Sequence, residues 1–101
     1  MPKIVPHLPL PVSRALKQLG ANIRDARRRR RIKTAVMADR MFISRPTLRR
    51  LENGDPTVAI GTFATALYVL GVIKHLEDLA SITIDSVGQQ LSSDNLPKRI
   101  R

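Results

Sequence analysis

Residues 34–54, TAVMADRMFISRPTLRRLENG, decide the fold of this chain, because they read as two short helices joined by a tight turn. Apolar residues fall at Met37, Ala38, Met41, Ile43, Leu48 and Leu51. The first three share one helical face; Leu48 and Leu51 share another after a short break. Ala38 supplies the small side chain that two helices crossing near a right angle need where they touch. Ser44 stands at an N-cap position, and Pro46 suits the first turn of a helix, where its missing N–H leaves nothing unsatisfied. Asn53-Gly54 then provides a left-handed stop. The second helix carries Arg45, Thr47, Arg49 and Arg50 outward, side-chain types that reach phosphates and guanine edges.

Charge points the same way. The chain has 101 residues, with 18 Lys plus Arg against 8 Asp plus Glu and a formal net charge of +10. That imbalance favours a polyanionic partner, nucleic acid before an anionic membrane surface. The length allows one domain. Its core must be aliphatic and small, since 43% of residues are hydrophobic but only 3% aromatic. Self-association or a partner would help stabilise a domain of this size. There is no cysteine, hence no disulfide and no thiolate metal site. No apolar run approaches the roughly 20 residues needed to span a bilayer, and nothing at the N-terminus reads as a signal peptide. The expected location is cytoplasmic and nucleoid-associated.

Outward from the opening stretch, residues 1–12 contain Pro2, Pro6, Pro9 and Pro11 and read as an extended, flexible arm. Ser13 is expected to cap a first helix, whose apolar stripe is Leu16, Leu19, Ile23 and Ala26. The arginines at 27 to 31 lie at its end, where cations complement the helix dipole, but five in a row exceed what capping requires. Helix two is expected over about 34–41 and helix three over about 45–53, followed by the loop Asp55-Pro56-Thr57-Val58. A fourth helix is expected from about Ile60 to Leu70, with Phe63, Ala64, Leu67 and Leu70 inward. A fifth is expected over about Ile73 to Ala80. Ser81 to Ile84 alternates in the manner of a brief strand, and LPKRIR closes a polar, basic tail. His7 and His75 read as solvated surface residues. The domain proper is 13–80, between the arm at 1–12 and the segment at 81–101.

The order LGANIRDARRRR, then TAVMADRMFISRPTLRRLENGDPTVAIGTFATALYVLGV, resembles the phage-repressor-like (Cro/xenobiotic-response-element) helix-turn-helix family over about residues 13–80. Within it, GDPTVAIGTFATAL and LPKRIR look most like HipB-type antitoxins, which pair with HipA-like kinase toxins. The resemblance implies an all-α, five-helix, lambda-repressor-like domain. It places Ser44, Arg45, Pro46 and Arg50 near base edges; Thr47 and Arg49 join them on the second helix of the motif. Thr34 and Asn53 match phosphate-contacting positions, and Lys33 and Arg28 are expected to contact phosphate as well. Arg27 and Glu52 match a partly buried ion pair linking helix one to helix three. Three positions depart from the pattern. Thr34 replaces the usual glutamine and has a shorter reach. Phe42 stands where glycine is preferred, so a left-handed backbone there would cost about 1–2 kcal/mol. Pro46 cannot hydrogen-bond a base and offers only shape or contact with a thymine methyl.

Catalysis is disfavoured: the two histidines are distant, and no phosphate loop or metal-ligand spacing occurs. No cofactor is expected. Two functional expectations stay open. One is a repressor of its own operon that also holds a HipA-like kinase toxin; the other is a stand-alone repressor. Both act on double-stranded operator DNA as a homodimer. The apolar surplus at Val72, Ile73, Leu76 and Leu79, with Ile82 and Ile84 beyond, is the expected dimer interface, the last two as a strand across the two-fold axis.

Overall fold

A computed structural model describes residues 7–81, 83–91, 96–98 and 100. Five α-helices follow in order: α1 (Leu10–Arg29), α2 (Thr34–Met41), α3 (Arg45–Glu52), α4 (Ile60–Val69) and α5 (Lys74–Glu77). A single 3₁₀ turn, Gly88–Gln90, comes later, and no strand occurs among the described residues. The long α1 packs on α3, and α2 packs on both α3 and α4.

The core follows the sequence periodicity in α2 and α3 and departs from it in α4, where Ala66 is buried and Ala64, expected inward, is only half-buried. Ile23 of α1, Met37, Ala38 and Met41 of α2, and Leu48 and Leu51 of α3 are all buried, joined by Phe63 and Ala66 of α4 and by its C-cap Leu70. Val58, from the loop before α4, closes the cluster. Removing the side chain of a residue as enclosed as Leu51 would cost about 2–5 kcal/mol. Ala38 is buried at the contact of α2 with its neighbours, as its size requires.

All four longer helices end in the same way. A residue at the C-cap or just beyond it takes a left-handed backbone, and two amide N–H groups turn back to the last carbonyls, satisfying orphan acceptors. In α3 this residue is Gly54, φ 72°. Its N–H donates to the Leu51 carbonyl at 2.9 Å, and Asp55 N–H to the Arg50 carbonyl at 3.0 Å. Gly71 does the same for α4. The two other positions are not glycine: Arg31 after α1 has φ 53° and Phe42 after α2 has φ 56°. Phe42 N–H donates to the Asp39 carbonyl at 3.2 Å and Ile43 N–H to the Ala38 carbonyl at 3.0 Å. The tight turn between α2 and α3 is therefore a capping motif built on a strained aromatic residue.

Close approach fixes α1 against α3. A Cβ on Gly20, midway along α1, would lie 2.6 Å from the carbonyl oxygens of both Leu51 and Glu52. Only a hydrogen in place of a side chain lets these backbones touch.

Three expectations are corrected. The proline-rich segment is not extended throughout: α1 starts at Leu10, with Pro9 as its N-cap and Pro11 in its first turn, so Ser13 lies inside the helix. Proline needs no N–H partner in that turn, and the N–H groups of Val12 and Ser13 both donate to the Pro9 carbonyl. The fifth helix is one turn, Lys74–Glu77, because the bonds around it are mostly tight, three-residue closures rather than helical ones. The expected strand at Ser81 to Ile84 is a turn in its described part. Ile84 and Asp85 N–H both donate to the Ser81 carbonyl, at 3.0 and 2.9 Å, which uses locally what a ladder would need. Ile82 lies outside the described residues, as do residues 92–95, Arg99 and Arg101 of the basic tail and 1–6 of the arm.

Candidate nucleic-acid interface

The start of α3 is set by Ser44, in extended backbone, whose Oγ accepts the Thr47 N–H at 3.3 Å. The same hydroxyl lies 2.9 Å from Thr47 Oγ1. Arg45 and Pro46 then occupy the first turn. Pro46, Arg50 and Asn53 follow at helical spacing and form the ridge opposite buried Leu48 and Leu51. Arg45 and Arg49 lie on the flank of that ridge that faces α1.

Between α1 and α3 runs a cleft of about 350 Å³ lined by Arg24, Arg28, Thr34, Arg45, Arg49 and Asn53, with the Arg27–Glu52 pair in its wall. Four of these guanidiniums are uncommitted to carboxylates at hydrogen-bond distance. Arg24 Nε, buried, has no hydrogen-bond partner, and its nearest acid is Asp25 at 3.6 Å. A concave, cationic, donor-rich wall of this kind suits oxyanions. Thr34 opens α2, whose N-cap is Lys33, so the positive end of that helix dipole adds to the same side.

The cleft wall is held by Arg27. Its Nε donates to Glu52 Oε2 at 2.7 Å and its Nη2 to Oε1 at 3.1 Å, while Nη1 donates to the Ile32 carbonyl at 3.0 Å. Both side chains are buried. One arginine thus ties α1 to α3 and also closes the turn into α2.

Arg50 behaves differently from Arg45 and Arg49. It turns away from the cleft toward the loop after α3, where Nε donates to Asp55 Oδ2 at 3.3 Å and Nη2 to Thr57 Oγ1 at 3.1 Å. Asp55 in turn accepts the Thr57 N–H at 2.8 Å and its hydroxyl at 2.6 Å through Oδ1. These bonds, chiefly those from the Thr57 hydroxyl and amide and then those from Arg50, hold the Asp55 carboxyl below its ordinary pKa.

The residues expected to act together therefore fall into separate groups. Arg28, Thr34, Asn53, Arg45 and Arg49 meet in one cleft, with Lys33 beside them; Ser44, Pro46 and Thr47 sit at the tip of α3; Arg50 belongs to a loop-supported arrangement. Reading the sequence missed Arg24, Asp55 and Thr57. Arg24 lies one turn before Arg28 on α1, a spacing that signals a shared face. Asp-Pro-Thr directly after Asn-Gly signals a side-chain-closed turn.

Of the residues expected at a dimer interface, Val72, Ile73 and Leu76 are half-buried, whereas Leu79 is 65% and Ile84 56% exposed. Among the described residues no group of acidic, histidine or cysteine side chains is placed to hold a metal ion. No described helix is long and apolar enough to cross a membrane.

A family described as "Helix-turn-helix domain" matches residues 18–80, the span from the middle of α1 to just past α5. Comparison with curated proteins and with solved structures gives no match.

Proposed function

The chain belongs to the helix-turn-helix domain family, and from that premise we propose that it is a sequence-specific transcriptional repressor of double-stranded operator DNA. The observation that carries this is the convergence of Arg24, Arg28, Arg45 and Arg49 with Thr34 and Asn53 beside the exposed ridge of α3. In this reading α3 enters the major groove. Arg24, Arg28, Thr34 and Asn53 of the cleft, with Lys33, hold a flanking phosphate, while Ser44, Arg45, Pro46, Thr47, Arg49 and Arg50 face the base edges. Phosphate contacts position the protein and base contacts specify the site.

The active species in this reading is a two-fold homodimer. Leu79 and Ile84, exposed in one protomer, and the half-buried Val72, Ile73 and Leu76 supply the apolar surface for it. Two copies of α3 then sit about one helical turn of DNA apart. The resemblance to HipB-type antitoxins supports a finer reading, in which the dimer represses its own operon and holds a HipA-like kinase toxin away from the DNA face. The cell interior, at the nucleoid, is the matching location. Enrichment of duplexes from a random pool, followed by footprinting, tests the DNA reading: two protected half-sites one turn apart are expected, and no enrichment would overturn it. Purification of the chain from its native cells separates the finer readings, since a kinase-sized partner supports the antitoxin and its absence supports a stand-alone repressor.

A further inference from the structure

Five N–H groups surround the Arg50 guanidinium, and the structure commits only one edge of it. Nε and Nη2 form the side-on edge, and they donate to Asp55 Oδ2 and Thr57 Oγ1. The end-on edge, one N–H from Nη1 and one from Nη2, has no partner in these bonds. Two parallel N–H donors are what guanine O6 and N7 accept in the major groove.

The supports are themselves fixed at both ends. Asp55 N–H is bound to the carbonyl of Arg50 itself, as part of the α3 stop, and its carboxylate returns to that residue's guanidinium. Thr57 is oriented because its hydroxyl donates to Asp55 Oδ1, which leaves the oxygen lone pairs to accept from Arg50. The left-handed Gly54 makes this reversal of the chain possible.

We propose that Asp55 and Thr57 are positioning residues for base recognition: they hold the side-on edge of Arg50 so that its end-on edge reads one guanine per half-site. This rests on the DNA reading above. The arrangement does two things that a free arginine would not. It orders a long side chain before binding, and it sets a carboxylate beside Arg50 that disfavours use of this arginine on a phosphate. Among the described residues, Arg45 and Arg49 have no carboxylate in ion-pair contact and lack this constraint.

The test compares base preferences of the full chain and its variants on duplexes enriched from a random pool. The readout is the ratio of affinities for a guanine and for its replacements at each position, which a change in the folded fraction leaves untouched. Arg50→Ala should abolish one guanine preference of roughly 5- to 150-fold. Asp55→Asn, which turns the acceptor beside Nε into an amide, and Thr57→Val should each weaken that same preference by roughly two- to tenfold, the scale of ordering one long side chain. Thr57→Ser, which keeps the hydroxyl, should restore it. The proposal is overturned if Asp55→Asn and Thr57→Val keep the full preference, or if Asp55→Asn sharpens it, which would make Asp55 a competitor of DNA. It is also overturned, with the DNA reading intact, if Arg50→Ala changes no base preference. If the unaltered chain enriches no sequence, both fail together.

Discussion

Arg27 and Glu52 stand 25 residues apart in sequence and meet side-on, two guanidinium N–H groups on two carboxylate oxygens, in the wall between α1 and α3. The pair is buried and the third nitrogen of Arg27 is also bound, so removal of one partner leaves an uncompensated charge. Glu52→Ala should lose about 3–5 kcal/mol in chemical denaturation. The double variant Arg27→Met, Glu52→Leu should recover most of that loss, because an apolar pair needs no compensation. An unchanged unfolding midpoint in Glu52→Ala would show that the pair does not hold the helices together.

Phe42 is 94% exposed and carries φ 56°, so it contributes strain without burial. Phe42→Gly should therefore stabilise the isolated protein by about 1 kcal/mol, less the backbone freedom glycine adds to the unfolded chain. Arg31→Gly, at the equivalent position after α1, should act in the same direction. A lower melting temperature for Phe42→Gly would mean that the ring makes interactions worth more than the strain.

The Asp55 carboxyl is held below its ordinary pKa, so its contribution to folding is fully present above the usual carboxylate range. That contribution is lost as pH falls through the depressed folded value. Followed by NMR, its titration midpoint should rise in Thr57→Val, and by less in Arg50→Ala, since the Thr57 hydroxyl is the largest cause of the shift. A midpoint that Thr57→Val leaves in place would contradict the bond network drawn around this loop.

Leu79 is exposed in the protomer, so Leu79→Glu should fold normally. If the dimer forms through this surface, sedimentation should show the variant as a monomer. Loss of bivalency should then weaken operator binding by about 10²–10⁴-fold while sparing nonspecific affinity. A variant that stays dimeric at the same concentration moves the interface elsewhere.

Much of this architecture was legible because it depends on local pattern. Met37, Ala38 and Met41, then Leu48 and Leu51, announce two buried faces, and Ser44, Pro46 and Gly54 mark the ends of α3 by their own chemistry. The Arg27–Glu52 pair followed only from family resemblance, as no periodicity links positions in different helices. What escaped was non-local or competitive. Pro9 and Pro11 read as helix breakers but serve as a helix start, because proline's effect reverses in the first turn. Alternation at Ser81 to Ile84 suggested a strand, yet turn bonds to the Ser81 carbonyl prevail in the described part. The bonds from Arg50 to Asp55 and Thr57 escaped because these partners lie in a loop whose shape depends on the α3 stop. Gly20 gave no local signal, since its need arises only where α3 crosses α1.

The central claim is that the cationic cleft and the α3 ridge grip duplex DNA, and the salt dependence of affinity tests it most directly. For an enriched duplex, a dimer that neutralises on the order of 6–10 phosphates should bind about 10³–10⁵-fold more weakly at 200 mM than at 50 mM salt. Arg28→Ala should lower the slope by about one for each phosphate that this arginine neutralises, with base preference unchanged. An affinity that stays level across that range would contradict the account.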